Sequence, residues 1–298
     1  MGRRRDQVRE EKEAMRFYSP LRYPGGKGKL ARFVGRICED NGVSGHYVEP
    51  YAGGAAVALY LLMEGKVGKI TINDSDRAIY AFWHSVLHDS RRLCGLIRRK
   101  EVSVATWREQ KEVQVRKETA DLLELGFSTL FLNRTNVSGI LDGGPIGGLE
   151  QGGSYKIDCR FNKEALIARI KAIAERKDDI RLFNLDALDL IKKIEQERAA
   201  SSTIFYFDPP YYLKGESLYM SHYGPEDHKH VSEAIKKIKG IRWIVSYDNV
   251  SAIKAMYSGY KKREYKLWHT AHSAKRGREV LFFSHGLVIP RIADPVKA

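Results

Sequence analysis

A chain of 298 residues is long enough for one large α/β domain carrying an insertion, or for two domains. Hydrophobic content of 43% and charged content of 30% exclude a disordered or membrane class, and no apolar run approaches the roughly 18 residues needed to span a bilayer. The 51 Lys and Arg exceed the 37 Asp and Glu to give a net charge of +14, which favours polyanionic partners through counterion release; a merely soluble basic protein is the alternative.

Residues 1–19 read as a charged tail without a core. Their opening residues are not signal-like, and Asp6 stands where an N-myristoylation motif wants Ser or Thr. Cys38, Cys94 and Cys159 lie far apart, with no C-x-x-C pair and no histidine cluster, so neither a disulfide framework nor a metal site is expected and a reducing cytoplasm fits.

Next comes "YPGGKGK", a glycine-rich loop with Lys27 able to close on an anionic group; it lacks the P-loop spacing, and a solvated basic turn is the plain alternative. From Tyr47 short apolar segments ending in glycine or acidic turns alternate with helical patterns, which predicts βαβ units and a parallel sheet. In "VEPYAGGAAVAL", Gly53 and Gly54 fall at a strand-to-helix turn whose amides can meet a ligand, although the spacing is not G-x-G-x-x-G. Asp74 ends the next segment, "KITINDSD", placed to accept from ribose hydroxyls; Asp74 or Asp76 is equally a helix N-cap type.

Between about Ser85 and Phe161 the pattern becomes helical and then glycine-rich, "SGILDGGPIGGLEQGGSY", which predicts a compact loop-rich insertion. Strand-like segments resume with "IRLFNLDALDLI", where Asp186 sits either near the base of a bound nucleoside or at an N-cap. They continue with "STIFYFDPPYY", "IRWIVSYDN" and "EVLFFSHG". "STIFYFDPPYY" delivers Asp208, Pro209, Pro210 and Tyr211 to the sheet's carboxyl edge. A carboxylate beside carbonyls fixed in direction by proline rings accepts hydrogen bonds, which suits an exocyclic amine donating two of them, and Tyr211 offers a flat face to a base. Near the C-terminus, Lys275, Arg276 and Arg278 read as a phosphate-binding loop between two strands or a solvated hairpin tip. His228 lies at a helix start, where a capping or packing role outweighs a catalytic one.

"LRYPGGKGKL", "VEPYAGG" and "DPPYY", in that order and around the module containing "LFLNRTNVSGI", resemble the signature set of the Dam-type DNA adenine methyltransferases; the likeness covers nearly everything after Phe17. It implies a Rossmann-like α/β fold with a mostly parallel sheet. It also implies a catalytic domain of residues 20–84 and 166–298 and a helical, loop-rich recognition insertion of residues 85–165. By that resemblance S-adenosyl-L-methionine is the cofactor, held by Tyr23, Lys27, Glu49, Pro50, Tyr51, Gly53, Asp74, Asp186 and Asp208. Asp208, Pro209, Pro210 and Tyr211 form the catalytic motif, with Tyr211 stacking on a flipped adenine. Asn133, Arg134 and Asn136 match a loop that meets DNA, and Lys275, Arg276 and Arg278 join them as basic contacts. The Glu-Pro-Tyr-Ala-Gly-Gly order departs from the glycine order common in that family. The expected protein is a monomeric, metal-free, cytoplasmic enzyme of prokaryotic or phage origin acting on double-stranded DNA. Methylation of the cytosine amine, a catalytically silent DNA-binding protein, and a methyltransferase of RNA or a protein amide are the rivals.

Overall fold

Strict alternation of apolar side chains builds the architecture. In β1 (His46–Glu49), Tyr47 enters one core and Val48 the other. β2 (Lys69–Asn73) and β3 (Ile180–Phe183) extend the sheet on one side of β1. In β4 (Thr203–Phe207), Ile204 and Tyr206 face the first core, Phe205 and Phe207 the second. β5 (Arg242–Asp248), β6 (Lys261–His269) and β7 (Lys275–Phe283) complete a seven-stranded sheet of order β3-β2-β1-β4-β5-β7-β6. The computed structural model describes residues 18–22, 26–197, 202–213, 223–269 and 275–298.

Strands β1 to β5 run parallel, and β7 is antiparallel to both neighbours. The helices, in chain order, are α1 (Ala31–Asp40), α2 (Ala56–Met63), α3 (Arg77–His88), α4 (Ser90–Arg99), α5 (Val104–Val115), α6 (Leu122–Thr135), α7 (Lys163–Ala174), α8 (Ala187–Gln196), α9 (Pro225–Lys237) and α10 (Ser251–Met256). Phe33, Leu59 and Phe82 of α1, α2 and α3 cover the first face; Leu190, Ile235 and Ile253 of α8, α9 and α10 cover the second. This is a Rossmann-like α/β fold. Its strand order reverses between β1 and β4, and in such sheets ligands bind outside the carboxyl ends of the strands at that switch point.

The inserted helices do not form a separate body. Residues 85 and 165 both fall inside helices, α3 and α7, so the expected boundaries cut through continuous structure. Helix α6 is buried at every position from Leu125 to Thr135, and Phe127, Leu130 and Phe131 share one core with Phe82 and Trp83. A helix enclosed on all sides shows no amphipathic period, because no face meets water. Its polar residues are satisfied internally: Thr129 Oγ1 donates to Ala78 O at 3.0 Å, and Gln114 Nε2 donates to Ser128 Oγ at 3.0 Å. Asp121 caps its N-terminus by accepting from Leu123 N and Glu124 N.

Tyr18 and Ser19, expected in the tail, belong to the folded body. Tyr18 packs on the first core and donates to Glu64 Oε1 at 2.6 Å, and Arg169 Nη1 donates to Ser19 O at 3.3 Å.

Candidate active site

Two carboxyl ends flank the switch point, and a cavity of about 290 Å³ opens there, lined in part by Lys27, Glu49, Gly53, Asp74, Asp208 and Pro210. The turn after β1 supplies its floor. Gly53 has φ 44 and Ala55, at the α2 N-cap, has φ 47 with ψ 34. Two left-handed residues fold the chain sharply, which holds the α2 N-terminus and its amides against the cavity.

That turn is pinned from several sides. Asp74 Oδ2 accepts from Gly53 N at 2.9 Å and Oδ1 accepts from Asp76 N at 3.0 Å. Trp83 Nε1 donates to Gly53 O at 2.9 Å, and Asn73 Nδ2 donates to Pro50 O at 2.9 Å and Leu185 O at 3.0 Å. Asp76 is the N-cap of α3 and accepts from Ala78 N at 2.9 Å, which leaves Asp74 to the turn. Burial raises the Asp74 carboxyl to about 7, against the two backbone N–H groups that favour its ionised form. Glu49 is buried beneath the turn, accepting from Tyr47 OH at 2.8 Å and Ala58 N at 3.1 Å, and burial pushes it up to about 8.

Asp208 follows β4. Lys27 Nζ stands 2.8 Å from its Oδ1 and 3.1 Å from its Oδ2, and Ser246 Oγ donates to Oδ1 at 2.6 Å. Burial raises the Asp208 carboxyl, while the Lys27 charge and these hydrogen bonds pull it back. Burial alone would lower the Lys27 ammonium, but Asp208 and Glu279 hold it well above its usual range. The chain beyond the prolines is fixed by Asp248, whose carboxylate accepts from Tyr212 N at 2.9 Å and Leu213 N at 3.1 Å.

Several expected roles change. Tyr211 is buried at 4% exposure, with Lys27 Nζ 5.0 Å from its ring centroid and its hydroxyl donating to Glu279 Oε1 at 2.6 Å, so in this conformation it offers no face to a base. Asp186 is exposed and caps α8 through Leu188 N at 2.8 Å; it lies outside the cavity lining, as do Pro50, Pro209 and Tyr211. Tyr51 lines the cavity and its hydroxyl meets Tyr223 OH at 3.1 Å. Tyr23 lies outside the described residues.

Three of the residues expected on DNA, Asn133, Arg134 and Asn136, are interior. Asn133 accepts from Arg22 N at 2.7 Å and donates to Arg22 O at 3.0 Å and Gly139 O at 2.9 Å, so it ties the insertion to the loop leading to Lys27. Asn136 accepts from Trp107 Nε1 at 2.6 Å and donates to Ile140 O and Leu141 O. Arg134 is buried and donates from Nε to Pro20 O at 2.6 Å; burial, then the like charges of Arg169, Arg22 and Arg160, lowers it to about 9. Amides with both ends engaged inside the protein cannot also reach a duplex. Lys275 and Arg276 belong to β7, paired with His269 and Trp268, rather than to a loop; Arg278, in the same strand, is exposed. Residues 270–274, between these strands in the chain, lie outside the described residues. His228 is buried in α9 with Nδ1 3.0 Å from Tyr247 OH, a packing role.

Asn73, Ser246, Asp248 and Glu279 are site residues that the sequence did not reveal. Among the described residues, no group of three or more His, Cys, Asp or Glu could hold a metal ion, and no helix is long and apolar enough to cross a membrane.

A switch-point cavity framed by a glycine turn and three carboxylates defines a nucleotide-cofactor enzyme of the doubly wound class. Residues 23–272 match the family model described as D12 class N6 adenine-specific DNA methyltransferase, and the chain belongs to that family. That family is described as acting on N6 of adenine in DNA. Among solved structures, the chain resembles a SAM-dependent methyltransferase from Agrobacterium tumefaciens, with 8% identity and a TM-score of 0.39. That alignment covers 85% of this chain and 59% of the other, so the chain spans about three-fifths of that protein's length. The rRNA methyltransferase aviRa from Streptomyces viridochromogenes is similar at 12% identity and a TM-score of 0.37, covering 88% of this chain and 85% of that one. No curated protein sequence matches the chain.

Proposed function

We propose that the protein methylates adenine N6 at specific sites of double-stranded DNA, as a monomer in a prokaryotic or phage-infected cytoplasm, with the target nucleotide rotated out of the helix. The observation that carries this is the convergence of Asp208 with Lys27, Glu49, Asp74 and the Gly53 turn on one cavity. The lining fits a nucleoside cofactor that carries a positive centre: Asp74 faces the cavity as an acceptor for ribose hydroxyls, Lys27 is a cation for a carboxylate, and Ala52, Ala55 and Val57 supply apolar wall. When bound, S-adenosylmethionine supplies a methyl group on sulfur together with its own leaving group.

Asp208 accepts one N–H of the exocyclic amine and the Pro209 carbonyl accepts the other, which disfavours delocalisation of the nitrogen lone pair into the ring. Ser246 keeps the Asp208 carboxylate in orientation from below. Asp208 need not be a strong base, because a methylated aromatic ammonium is acidic and gives up its proton readily. Pro210 and Tyr223 line the cavity beside Asp208 and form its apolar wall. Extruding a base costs a few kcal/mol, which phosphate contacts from the +14 chain offset.

The test is incubation with duplex DNA from cells lacking adenine methylation and a methyl-labelled donor, followed by nucleoside separation. Label in N6-methyladenine, abolished in Asp208→Ala, is expected. Label in N4-methylcytosine, in RNA or in none of these overturns the reading.

A further inference from the structure

Strand β7 places one acidic residue in an otherwise apolar run. Val280, Leu281, Phe282 and Phe283 are buried on both faces of the sheet, and Glu279 beside them is only 1% exposed. A buried carboxylate is retained only where donors and opposite charge meet it. Glu279 Oε1 accepts from Tyr211 OH at 2.6 Å, Oε2 accepts from Tyr265 OH at 2.5 Å, and Lys27 Nζ stands 3.7 Å from Oε2. Two buried carboxylates, Asp208 and Glu279, therefore flank a single ammonium, with Lys27 closer to Asp208.

This sharing matters for the proposed reaction. An Asp208 whose two oxygens lie at 2.8 and 3.1 Å from an ammonium is a poor acceptor for the N–H of an incoming amine. Releasing it means moving Lys27, and an ammonium left alone in the core is costly. Glu279 already meets Lys27 as a longer ion pair, 3.7 Å against 2.8 Å for Asp208, and is held in place by the hydroxyls of Tyr211 and Tyr265. We propose that Glu279 is a positioning residue that gives the Lys27 ammonium a second seat, so that Asp208 can turn its oxygens to the substrate amine. This role rests on the methyltransferase reading for its consequence, and on the geometry alone for the seat itself.

Two experiments separate those dependencies. The first is a stability cycle in the full chain: melting temperatures of wild type, Asp208→Asn, Glu279→Gln and the double variant. Each single change leaves Lys27 one carboxylate, so each shifts the melting temperature slightly. The double variant takes both carboxylates from the buried ammonium and should lose several degrees more than the two shifts added; simple additivity overturns the seat, whatever the enzyme's activity. The second compares turnover with donor binding by calorimetry. Glu279→Gln, nearly isosteric, should lower kcat at least tenfold while the Kd for S-adenosylmethionine stays within about twofold, and Glu279→Asp should recover part of the rate. Wild-type kcat in Glu279→Gln overturns the positioning role. Failure of the wild type to methylate any DNA would instead sink the proposed function, and the stability cycle would still decide the seat.

Discussion

Lys27 and Asp208, 181 residues apart in the chain, form an ion pair of 2.8 Å at the mouth of the switch-point cavity. The lysine arrives on a short 3₁₀ turn before α1 and the aspartate on the end of β4, so the pair joins the first and last motifs of the site. The Lys27 side chain is 2% exposed and that of Asp208 is 22% exposed. The asymmetry gives the two residues different costs of removal. Lys27→Met takes the ammonium from both Asp208 and Glu279, and breaking a buried pair in this way costs about 3–5 kcal/mol. At roughly 2–4 °C per kcal/mol for a large domain, calorimetry should show a melting temperature roughly 6–20 °C lower. Asp208→Ala removes the more exposed member and leaves Glu279 beside the lysine, so its shift should be much smaller while methyl transfer is lost. Equal shifts for the two variants would contradict the arrangement.

Asn133 holds the chain ahead of Lys27 by both backbone polar groups of one residue, accepting from Arg22 N and donating to Arg22 O. Replacement by Ala removes three hydrogen bonds and leaves buried backbone groups without partners, each costing about 1–3 kcal/mol. Asn133→Asp keeps the acceptor and loses the donor. Both should weaken S-adenosylmethionine binding in calorimetry, Ala more than Asp, through a displaced Lys27 rather than through any loss of DNA affinity. A DNA-binding defect in a fluorescence titration with donor affinity intact would place Asn133 on the duplex instead.

Much of this was legible in the sequence, and the division has a physical cause. Short apolar segments closed by Glu49, Asn73 and Phe207 announced parallel strands, because a strand buried on both faces needs no polar alternation. Gly53 and Asp208 stood out because glycine turns and prolines have local backbone consequences. Glu279, Ser246 and Asp248 carry no local signature: each acts on a partner brought near by strand pairing, as when β7 sets Glu279 opposite Tyr265. The polar run Asn133, Arg134 and Asn136 was misread for the same reason. A polar side chain is solvent-facing by default, and carbonyls supplied from far along the chain, at Arg22 and Pro20, turn Asn133 and Arg134 inward, while Asn136 is held by Trp107 Nε1 and the nearby Ile140 O. Helix α6 hid its position because complete burial erases the period that would have revealed a face.

Ala55 holds a conformation that a Cβ disfavours, φ 47 and ψ 34 at the start of α2. The left-handed region costs an alanine roughly 1–2 kcal/mol relative to the right-handed one, and glycine is free of that cost. Ala55→Gly should therefore raise or hold the melting temperature despite glycine's larger unfolded entropy, whereas Ala55→Val, β-branched and buried, should lower it by several degrees and impair donor binding. A stability loss in the glycine variant matching that of valine would show that the side chain's packing, and not its backbone, governs the position.

Glu49 makes stability depend on pH in a definite direction. Its carboxyl is raised by burial to about 8, from a value of about 4.3 in an unfolded chain. Between those values the folded protein keeps a proton that the unfolded chain has lost, so ν for the native state exceeds ν for the unfolded state and stability falls as pH rises. The contribution is fully present below about pH 4 and is lost as the pH climbs through about 8, at up to about 1.4 kcal/mol per pH unit for one proton. Asp74, raised to about 7, adds a decline of the same sign that ends one unit earlier. Glu49→Gln keeps an oxygen for Tyr47 OH and Ala58 N but cannot titrate. Its melting temperature, scanned from pH 5 to pH 9, should fall less steeply than that of the wild type, with the gap between the two curves widening up to about pH 8 and constant above it. Parallel curves across that range would mean that Glu49 is already ionised at neutral pH, and that the hydrogen bonds from Tyr47 and the α2 N-terminus outweigh its burial.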